Sequence, residues 1–296
     1  MTPVVYILVL NWNGYCDTIR CLHSLEFLGY KNARIVVIDN ASTDGSIKKI
    51  NAACPDTFIL VNQDNLGFAG GNNVGIKYAL EQGADYIWLL NNDTEVDPEA
   101  LGEMIAVAVN DPMIGMLGSR IYHLEQKDKL LFAGGKINWL RGWCRHEKSP
   151  ASGEKARDVD FITGCSLLVR RDMVERIGLL DERFFLYYED TDWSVRAKQA
   201  GYRLAYVPSS IVYHNESSTV GKVSPTQQYY CTRNNLLFMK KHAPWYIWCT
   251  FTPFFLAKVT AKALIFTGFG QPRVIRSLVK GVYDMIRGRF GRQPVN

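Results

Sequence analysis

The sequence predicts an α/β fold: a mostly parallel central sheet flanked by helices, followed by a C-terminal amphipathic helical extension. Three observations predict it. The first hundred residues alternate short β-rich runs with helical patterns, the mark of βαβ units. Each strand-like run there stops in polar or turn-forming residues. A length of 296 residues with a hydrophobic fraction of 47% supplies a substantial core without covalent staples.

The expected strands are Val4 to Leu10, Arg34 to Asn40, Thr57 to Asn62 and Asp85 to Leu90. Helices are expected between them at about Cys16 to Leu28, Ser46 to Ala53, Gly71 to Gln82 and Pro98 to Asn110. The strand ends carry four polar clusters: Asn11 to Gly14, Asp39 to Gly45, Asn62 to Gly71 and Asn91 to Asp97. In an open parallel sheet the carboxyl ends of the strands face one side, so these clusters should meet at one ligand crevice. From Ser119 to Asp160 the pattern is irregular, with a polar stretch, HEKSPASGEKARD, expected as a loop or hairpin tip. A strand FITGCSLLV (Phe161 to Val169) follows, then helices near Arg171 to Ile177 and Trp193 to Ala200. The last strands are RLAYV, ended by Pro208, and IVYH, ended by His214.

The seven cysteines are scattered, odd in number and free of CxxC or zinc-like spacing, and read as free thiols of a reducing compartment. Tyr6 to Leu10 lacks the flanks of a secretory signal. The net charge is +5, and from Lys258 onward Asp284 is the only acid among many Lys and Arg residues. That asymmetry favours an anionic partner. Trp245 to Phe269 is apolar and aromatic but contains Pro253, Lys258 and Lys262, whereas a clean span needs about 20 apolar residues with few charges. An interfacial segment beside an anionic membrane surface is the preferred reading, with a transmembrane helix and a helical pair packed on the domain as alternatives. No nucleic acid partner is expected.

Asp93, at the end of an oily strand, is chosen as a ligand for a divalent cation that bridges phosphates, although Asn92 and Asp93 also suit a plain turn and Asp97 a helix cap. Asp39 has the acceptor chemistry to read the ring N–H of a uracil or thymine, while Ser42, Asp44 and Ser46 suit the turn. Gly67, Gly70 and Gly71 are placed just before a helix, where backbone N–H groups let nucleotide atoms approach. Asn11, Asn13, Asn65, Asn73, Asn91 and Asn92 complete the candidate binding set at this crevice. Glu189, Asp190 and Asp192 gather at a helix start behind four aromatics, more acids than a cap needs. Asp190 is assigned the general-base role, with Glu189 in reserve. His214, taken alone, is more often structural than a ligand.

In combination, VVIDNASTDGS, NLGFAGGNN, WLLNNDT, FITGCSLLVRR, LLDERFFLYYEDTDWSVRAKQAGY and YYCTRNNLLF resemble glycosyltransferase family 2, in its rhamnosyltransferase-like branch, over Val4 to His242. The resemblance implies a GT-A (Rossmann-like) fold, a nucleoside-diphosphate sugar donor (dTDP or UDP), Mg²⁺ or Mn²⁺, and inversion at the anomeric carbon. It carries the base-binding aspartate onto Asp39, the DxD element onto Asn91 to Asp93, the catalytic base onto Asp190 and a late metal-ligand histidine onto His214. It also implies a division of residues 1–242 into a nucleotide-binding half (1–118) and an acceptor half (119–242), and composition adds a basic, helical, membrane-interfacial extension (243–296). In that scheme Thr163, Gly164 and Asp192 are placed on the acceptor side, and the loop from Ser149 to Arg157 is expected to close over the donor. The sequence departs from the family at Asn91, a neutral amide where the first DxD acid stands. QQYYCTRNNLLF replaces the QxxRW element of processive members, which implies one sugar per encounter. The best match of donor and acceptor is dTDP-L-rhamnose and a lipid-linked glycan at the cytoplasmic face of the plasma membrane. UDP-galactofuranose, UDP-N-acetylglucosamine, a nucleotidyltransferase and a non-catalytic scaffold are the alternatives.

Overall fold

The computed structural model describes residues 2–149, 155–215 and 224–295. Its first half is β1 (Val5–Asn11), α1 (Tyr15–Glu26), β2 (Ala33–Asp39), α2 (Ser46–Ala53), β3 (Phe58–Val61), α3 (Gly67–Glu81), β4 (Tyr86–Asn91), β5 (Thr94–Val96) and α4 (Ala100–Asn110). Strands β3, β2, β1 and β4 lie side by side and parallel, as expected. Their residues alternate between two cores. Val5, Ile7, Val9, Trp88 and Leu90 face α1 and α4, while Tyr6, Leu8, Ile87 and Leu89 face α3 and the later helices. A strand covered on both faces has no polar side to show, hence the unbroken oily runs.

The second half is β6 (Ile114–His123), β7 (Leu130–Phe132), the hairpin β8 (Gly135–Asn138) and β9 (Trp143–His146), β10 (Arg157–Asp158), β11 (Ser166–Arg170), α5 (Arg171–Ile177), α6 (Glu189–Gln199) and β12 (Arg203–His214). The main sheet runs β10-β12-β6-β11-β4-β1-β2-β3, with β11 antiparallel to β4 and β6, and β12 parallel to β6.

Three expectations are corrected here. The stretch from Ser119 is not irregular at its start, because β6 is a central strand. Its glycines hide it, yet a Cβ on Gly118 would stand 2.4 Å from Ile162, so only glycine fits. The expected strand Phe161 to Val169 begins only at Ser166, leaving Thr163 to Cys165 in a turn. Pro208 does not end a strand: β12 continues through it, with a register shift between Val207 and Ile211 that absorbs the proline. Ser210 of that irregularity joins a buried hydroxyl chain, Ser210 to Ser119 at 2.8 Å and Ser119 to Ser166 at 2.7 Å, and Trp88 Nε1 donates to Ser166 at 3.0 Å.

The chain ends in α7 (Pro225–His242), α8 (Trp248–Gly268) and α9 (Pro272–Ile286). α7 and α9 are joined through Tyr229, whose hydroxyl donates to the buried Asp284 at 2.7 Å, so the one acid of the tail is an internal tie. α8 runs through Pro253 and, by length and composition, is apolar enough to cross a membrane. Phe251 and Phe255 are its buried residues, while Phe254, Leu256, Leu264 and Ile265 are exposed. Its two lysines turn inward: Lys262 Nζ donates to Gln228 of α7 at 2.6 Å, and Lys258 lies near the Cys144 and Cys231 thiols. The amphipathic character expected of this region resides in α9. Of the stretch expected to close over the donor, residues 150–154 lie outside the described residues.

Candidate active site

After β4 the chain turns at Asn92 and Asp93 and enters β5, which pairs antiparallel with the end of β12. Thr94 Oγ1 donates to the Asn91 carbonyl at 2.7 Å, and Asn215 N donates to the Asp93 carbonyl at 2.8 Å. This pairing brings together side chains remote in sequence. His214 Nε2 stands 3.0 Å from Asp93 Oδ1, and Asn91 Nδ2 lies 3.5 Å from the same ring nitrogen. The Asp93–His214 contact is close but not aligned as a hydrogen bond, and Asp93 Oδ1 is buried with no hydrogen-bond partner among the described residues. Burial opposes charge on His214, yet Cys165 and Asp93 outweigh it and push its pKa up to about 11. That raised pKa belongs to the ring with only Cys165 and Asp93 acting on it; a divalent cation would displace the proton, and a buried carboxylate oxygen beside the resulting neutral imidazole fits such a cation by donor type.

Asp190 stands in the first turn of α6. Its Oδ2 accepts from Gly164 N at 2.8 Å, and its Oδ1 accepts from Thr191 N at 2.6 Å and Thr191 Oγ1 at 3.1 Å. Gly164 must be glycine, because a Cβ there would meet the Phe68 ring at 2.8 Å. The next residue, Cys165, accepts from Asn91 N through its carbonyl at 3.0 Å. The Gly164-Cys165 turn therefore holds Asp190 on one side and the β4 terminus, with Asp93 beyond it, on the other.

α6 is aimed by an unusual lead-in. Phe185, Tyr187 and Tyr188 all have positive φ, at 64°, 68° and 76°, in a region that costs a non-glycine residue about 1–3 kcal/mol. Asn234 of α7 offsets that strain by donating to the Phe184, Leu186 and Tyr187 carbonyls at 2.8 Å each, while Arg233 Nη2 donates to the Arg183 and Phe184 carbonyls at 2.9 Å. The sequence signal was the RNN triplet of α7, whose role as a scaffold the motif reading missed.

Two cavities share a wall. The first, about 390 Å³, is lined by Trp12, Asn40, Asn65, Asn91, Asn92 and Asp93 together with Tyr230 and the chain end. The second, about 630 Å³, is lined by Arg145, His146, Lys148, Thr163, Glu189 and Asp190. Consecutive residues face opposite sides of the wall: Leu186 and Tyr187, Thr226 and Gln227, Tyr230 and Cys231. Trp12, which sequence reasoning passed over, is 54% exposed at the end of β1 and walls the first cavity.

Several predicted site residues make hydrogen bonds within the scaffold. Asp39 is fully buried, accepting from Asn11 Nδ2 at 2.8 Å and Ser42 N at 2.9 Å, and it does not line the cavity. Asn11 Oδ1 accepts from Thr18 Oγ1 at 2.7 Å, and Asn13 Oδ1 from Thr43 N at 2.8 Å, so both knit turns together. Asn73 spends its amide on Leu180 and Glu182. The glycines are not before a helix but within α3. Gly67 N donates to Asn65 Oδ1 at 2.8 Å, and Phe68 N to the Phe185 carbonyl at 2.7 Å, so the helix start presents no free anion cradle. A Cβ on Gly70 would crowd Leu66 at 2.8 Å, and one on Gly71 would strike Leu10 at 2.6 Å, making both packing glycines.

Asp192 lines neither cavity. It is fully buried among His242 and Lys241, each at 2.7 Å, and Arg196 at 2.9 Å, and these donors hold its pKa down against the effect of burial. Glu189 does line the second cavity, but burial first and Asp190 second push its pKa well above the usual carboxylate range. The shift favours the protonated form of Glu189, which cannot accept a proton. Thr163 and Gly164 stand at the second cavity and its turn, and Asn65 and Asn92 at the first.

The glycosyl transferase family 2 pattern matches residues 6–178. The chain belongs to that family. This family 2 protein is 25% identical over 268 residues to an N-acetylglucosaminyl-diphospho-decaprenol L-rhamnosyltransferase of Mycobacterium tuberculosis, covering 83% of this chain and 87% of the relative. It is 23% identical over 300 residues to the dTDP-rhamnosyl transferase RfbF of Shigella flexneri, with 98% of each covered. Among solved structures the transferase is similar to the mannosyltransferase PcManGT of Pyrobaculum calidifontis in complex with GDP-Man and Mn²⁺, with a TM-score of 0.63, 15% identity and coverage of 98% of this chain and 88% of the other. It is also similar to GalNAc-T7 with UDP, GalNAc and Mn²⁺, with a TM-score of 0.65, 17% identity and coverage of 81% and 48%. The fold is thus that of GT-A glycosyltransferases, as the motifs imply.

Proposed function

We propose that this glycosyltransferase moves L-rhamnose from dTDP-L-rhamnose to a hydroxyl of a lipid-linked glycan, with inversion and one sugar per encounter. The observation that carries the reading is the Gly164-Cys165 turn, which joins the general-base candidate Asp190 to the strand end bearing Asp93. The names of the two bacterial relatives support rhamnose as the sugar and a diphospho-lipid as the carrier.

In this reading the first cavity takes the donor. The exposed indole of Trp12 offers a face for the base to stack on, and Asn40, Asn65 and Asn92 line its polar wall. Asp93 and His214 hold Mg²⁺ or Mn²⁺, which when bound neutralises charge on the donor's diphosphate. Asp190, fixed by three donated hydrogen bonds, accepts the acceptor hydroxyl's proton as that oxygen attacks the anomeric carbon. The upward shift of Glu189 supports its neighbour Asp190 as the proton acceptor.

The second cavity takes the acceptor. Its Arg145 and Lys148, with Lys258 nearby, suit an anionic carrier. The apolar outer side of α8 and the basic residues of α9 suit a peripheral seat on the cytoplasmic face of a membrane. Incubating the protein with dTDP-L-rhamnose, UDP-galactofuranose and UDP-N-acetylglucosamine, each with and without EDTA, tests the reading. Turnover of the rhamnose donor that EDTA abolishes is expected; turnover of none, or turnover indifferent to EDTA, refutes it.

A further inference from the structure

Beyond α9 the chain does not trail away. It folds back as a strap across α7. Arg289 N donates to the Asp284 carbonyl at 2.8 Å, Gly291 N donates to the Arg183 carbonyl at 3.0 Å, and Arg233 Nη1 donates to the Gly291 carbonyl at 2.8 Å. Gln293 N then donates to the Tyr230 hydroxyl at 3.1 Å. Gly288 and Gly291, both with φ of 67°, supply the left-handed turns that this path needs.

The strap reaches the donor cavity, where Arg292, Gln293 and Val295 line the same space as Asp93 and Trp12. Among the described residues lining it, Asp93 is the only acid and Arg292 the only cation. The Arg292 guanidinium makes no ion pair with a carboxylate among the described residues. Arg233 grips Gly291 with one nitrogen and the Arg183 and Phe184 carbonyls with another, so the strap is tied to the very loop that aims α6 and Asp190.

We infer that the C-terminal strap is a wall of the donor site and that Arg292 contacts the diphosphate of the nucleotide, an inference that rests on the donor reading above. The chemistry gives such a cation a purpose. As transfer proceeds, the bond from the anomeric carbon to the diphosphate oxygen breaks and its electron pair stays on that oxygen. The acceptor oxygen bonds to the carbon and its proton passes to Asp190. The diphosphate gains negative charge in this step, and a guanidinium presented to it binds product and transition state more tightly than donor. A planar fork of N–H donors suits phosphate oxygens better than a lysine does.

Calorimetric titration of dTDP and of UDP, each with Mn²⁺, into the full chain, into Arg292→Gln and Arg292→Lys, and into a chain ending at Phe290 tests the inference. Loss of the guanidinium is expected to weaken nucleoside-diphosphate binding about tenfold or more, the scale of a hydrogen bond to a charged group. Binding of dTMP should fall less, and Arg292→Lys should restore part of the loss. Equal affinity in Arg292→Gln and the full chain overturns the inference, as does tighter binding by the shortened chain, which would make the strap a plug. Asp93→Asn separates the two readings. If it loses Mn²⁺-dependent binding while Arg292→Gln does not, the strap inference alone fails; if the full chain binds no nucleoside diphosphate, the donor reading fails and takes the strap with it.

Discussion

Gly164 donates its backbone N–H to Asp190 at 2.8 Å, and this contact is what fixes the general-base candidate relative to the sheet. The bond needs no side chain on Gly164, and Phe68 leaves no room for one.

Asp190→Asn keeps the shape and hydrogen-bonding capacity of the side chain but cannot take a proton. Transfer is expected to fall by about a hundredfold to ten-thousandfold, the usual reach of general-base catalysis. Titrated dTDP affinity should hardly change. A variant that retains full turnover would remove Asp190 from the chemistry.

Asp93 and His214 are expected to act as one metal-binding unit. Asp93→Asn and His214→Ala should each raise the Mn²⁺ concentration needed for half-maximal activity, by about tenfold or more. The double variant should be little worse than either single one, because the two residues share one ligand. Additive losses across the double-mutant cycle would contradict a shared site.

Glu189 makes stability depend on pH in a stated direction. Its folded pKa is raised above its ordinary value, so the folded state holds a proton that the unfolded chain releases. Its contribution is present in full below about pH 4.3 and is lost as pH rises toward the folded pKa, at up to about 1.4 kcal/mol per pH unit. Glu189→Gln should therefore gain stability over the parent chain as pH rises, in urea melts at a series of pH values. A constant difference between the two proteins from pH 5 to 8 would argue against a buried, protonated Glu189.

Asp192 behaves in the opposite sense. Its partners hold its pKa down, so its contribution is present above its ordinary range and is lost as pH falls through the folded value. Asp192→Ala leaves Arg196 and Lys241 short of a buried carboxylate and should destabilise the fold by about 3–5 kcal/mol. Urea denaturation near neutral pH measures it, and a loss under ~1 kcal/mol would show that the cluster is better solvated than its geometry implies.

The outer side of α8 is expected to meet lipid. Leu264→Asp with Ile265→Asp should reduce sedimentation with vesicles containing anionic lipid, and leave thermal unfolding unchanged because both positions are exposed. Unaltered partition would assign this face to something other than a membrane.

Much of the fold is legible in the residues themselves. The oily runs of β1, β2 and β4 announce buried parallel strands, and their polar ends announce the crevice. β6 is illegible because Gly115, Gly118 and Ser119 dilute its strand signal, and its partners β7, β11 and β12 come later in the chain. Asp93 and Asp190 are readable as candidates because acids at strand and helix ends are chemically conspicuous. Asp39, Asn73 and Asp192 look equally conspicuous, and only their neighbours show that turns, Leu180 and Glu182, and a buried cation cluster consume them.

By itself, then, the sequence determined the layering of strands and helices and the chemical kinds present at the crevice. Those depend on local pattern: which residues are oily, which turn, and which carry charge. The tertiary structure decided which polar groups are already satisfied and which are left facing a cavity. The β5–β12 pairing seats His214 beside Asp93, α7 props the lead-in to Asp190, and the segment after α9 brings Arg292 to the first cavity. Hydrogen-bond satisfaction is a property of three-dimensional neighbours, so two aspartates with similar local sequence can have opposite surroundings.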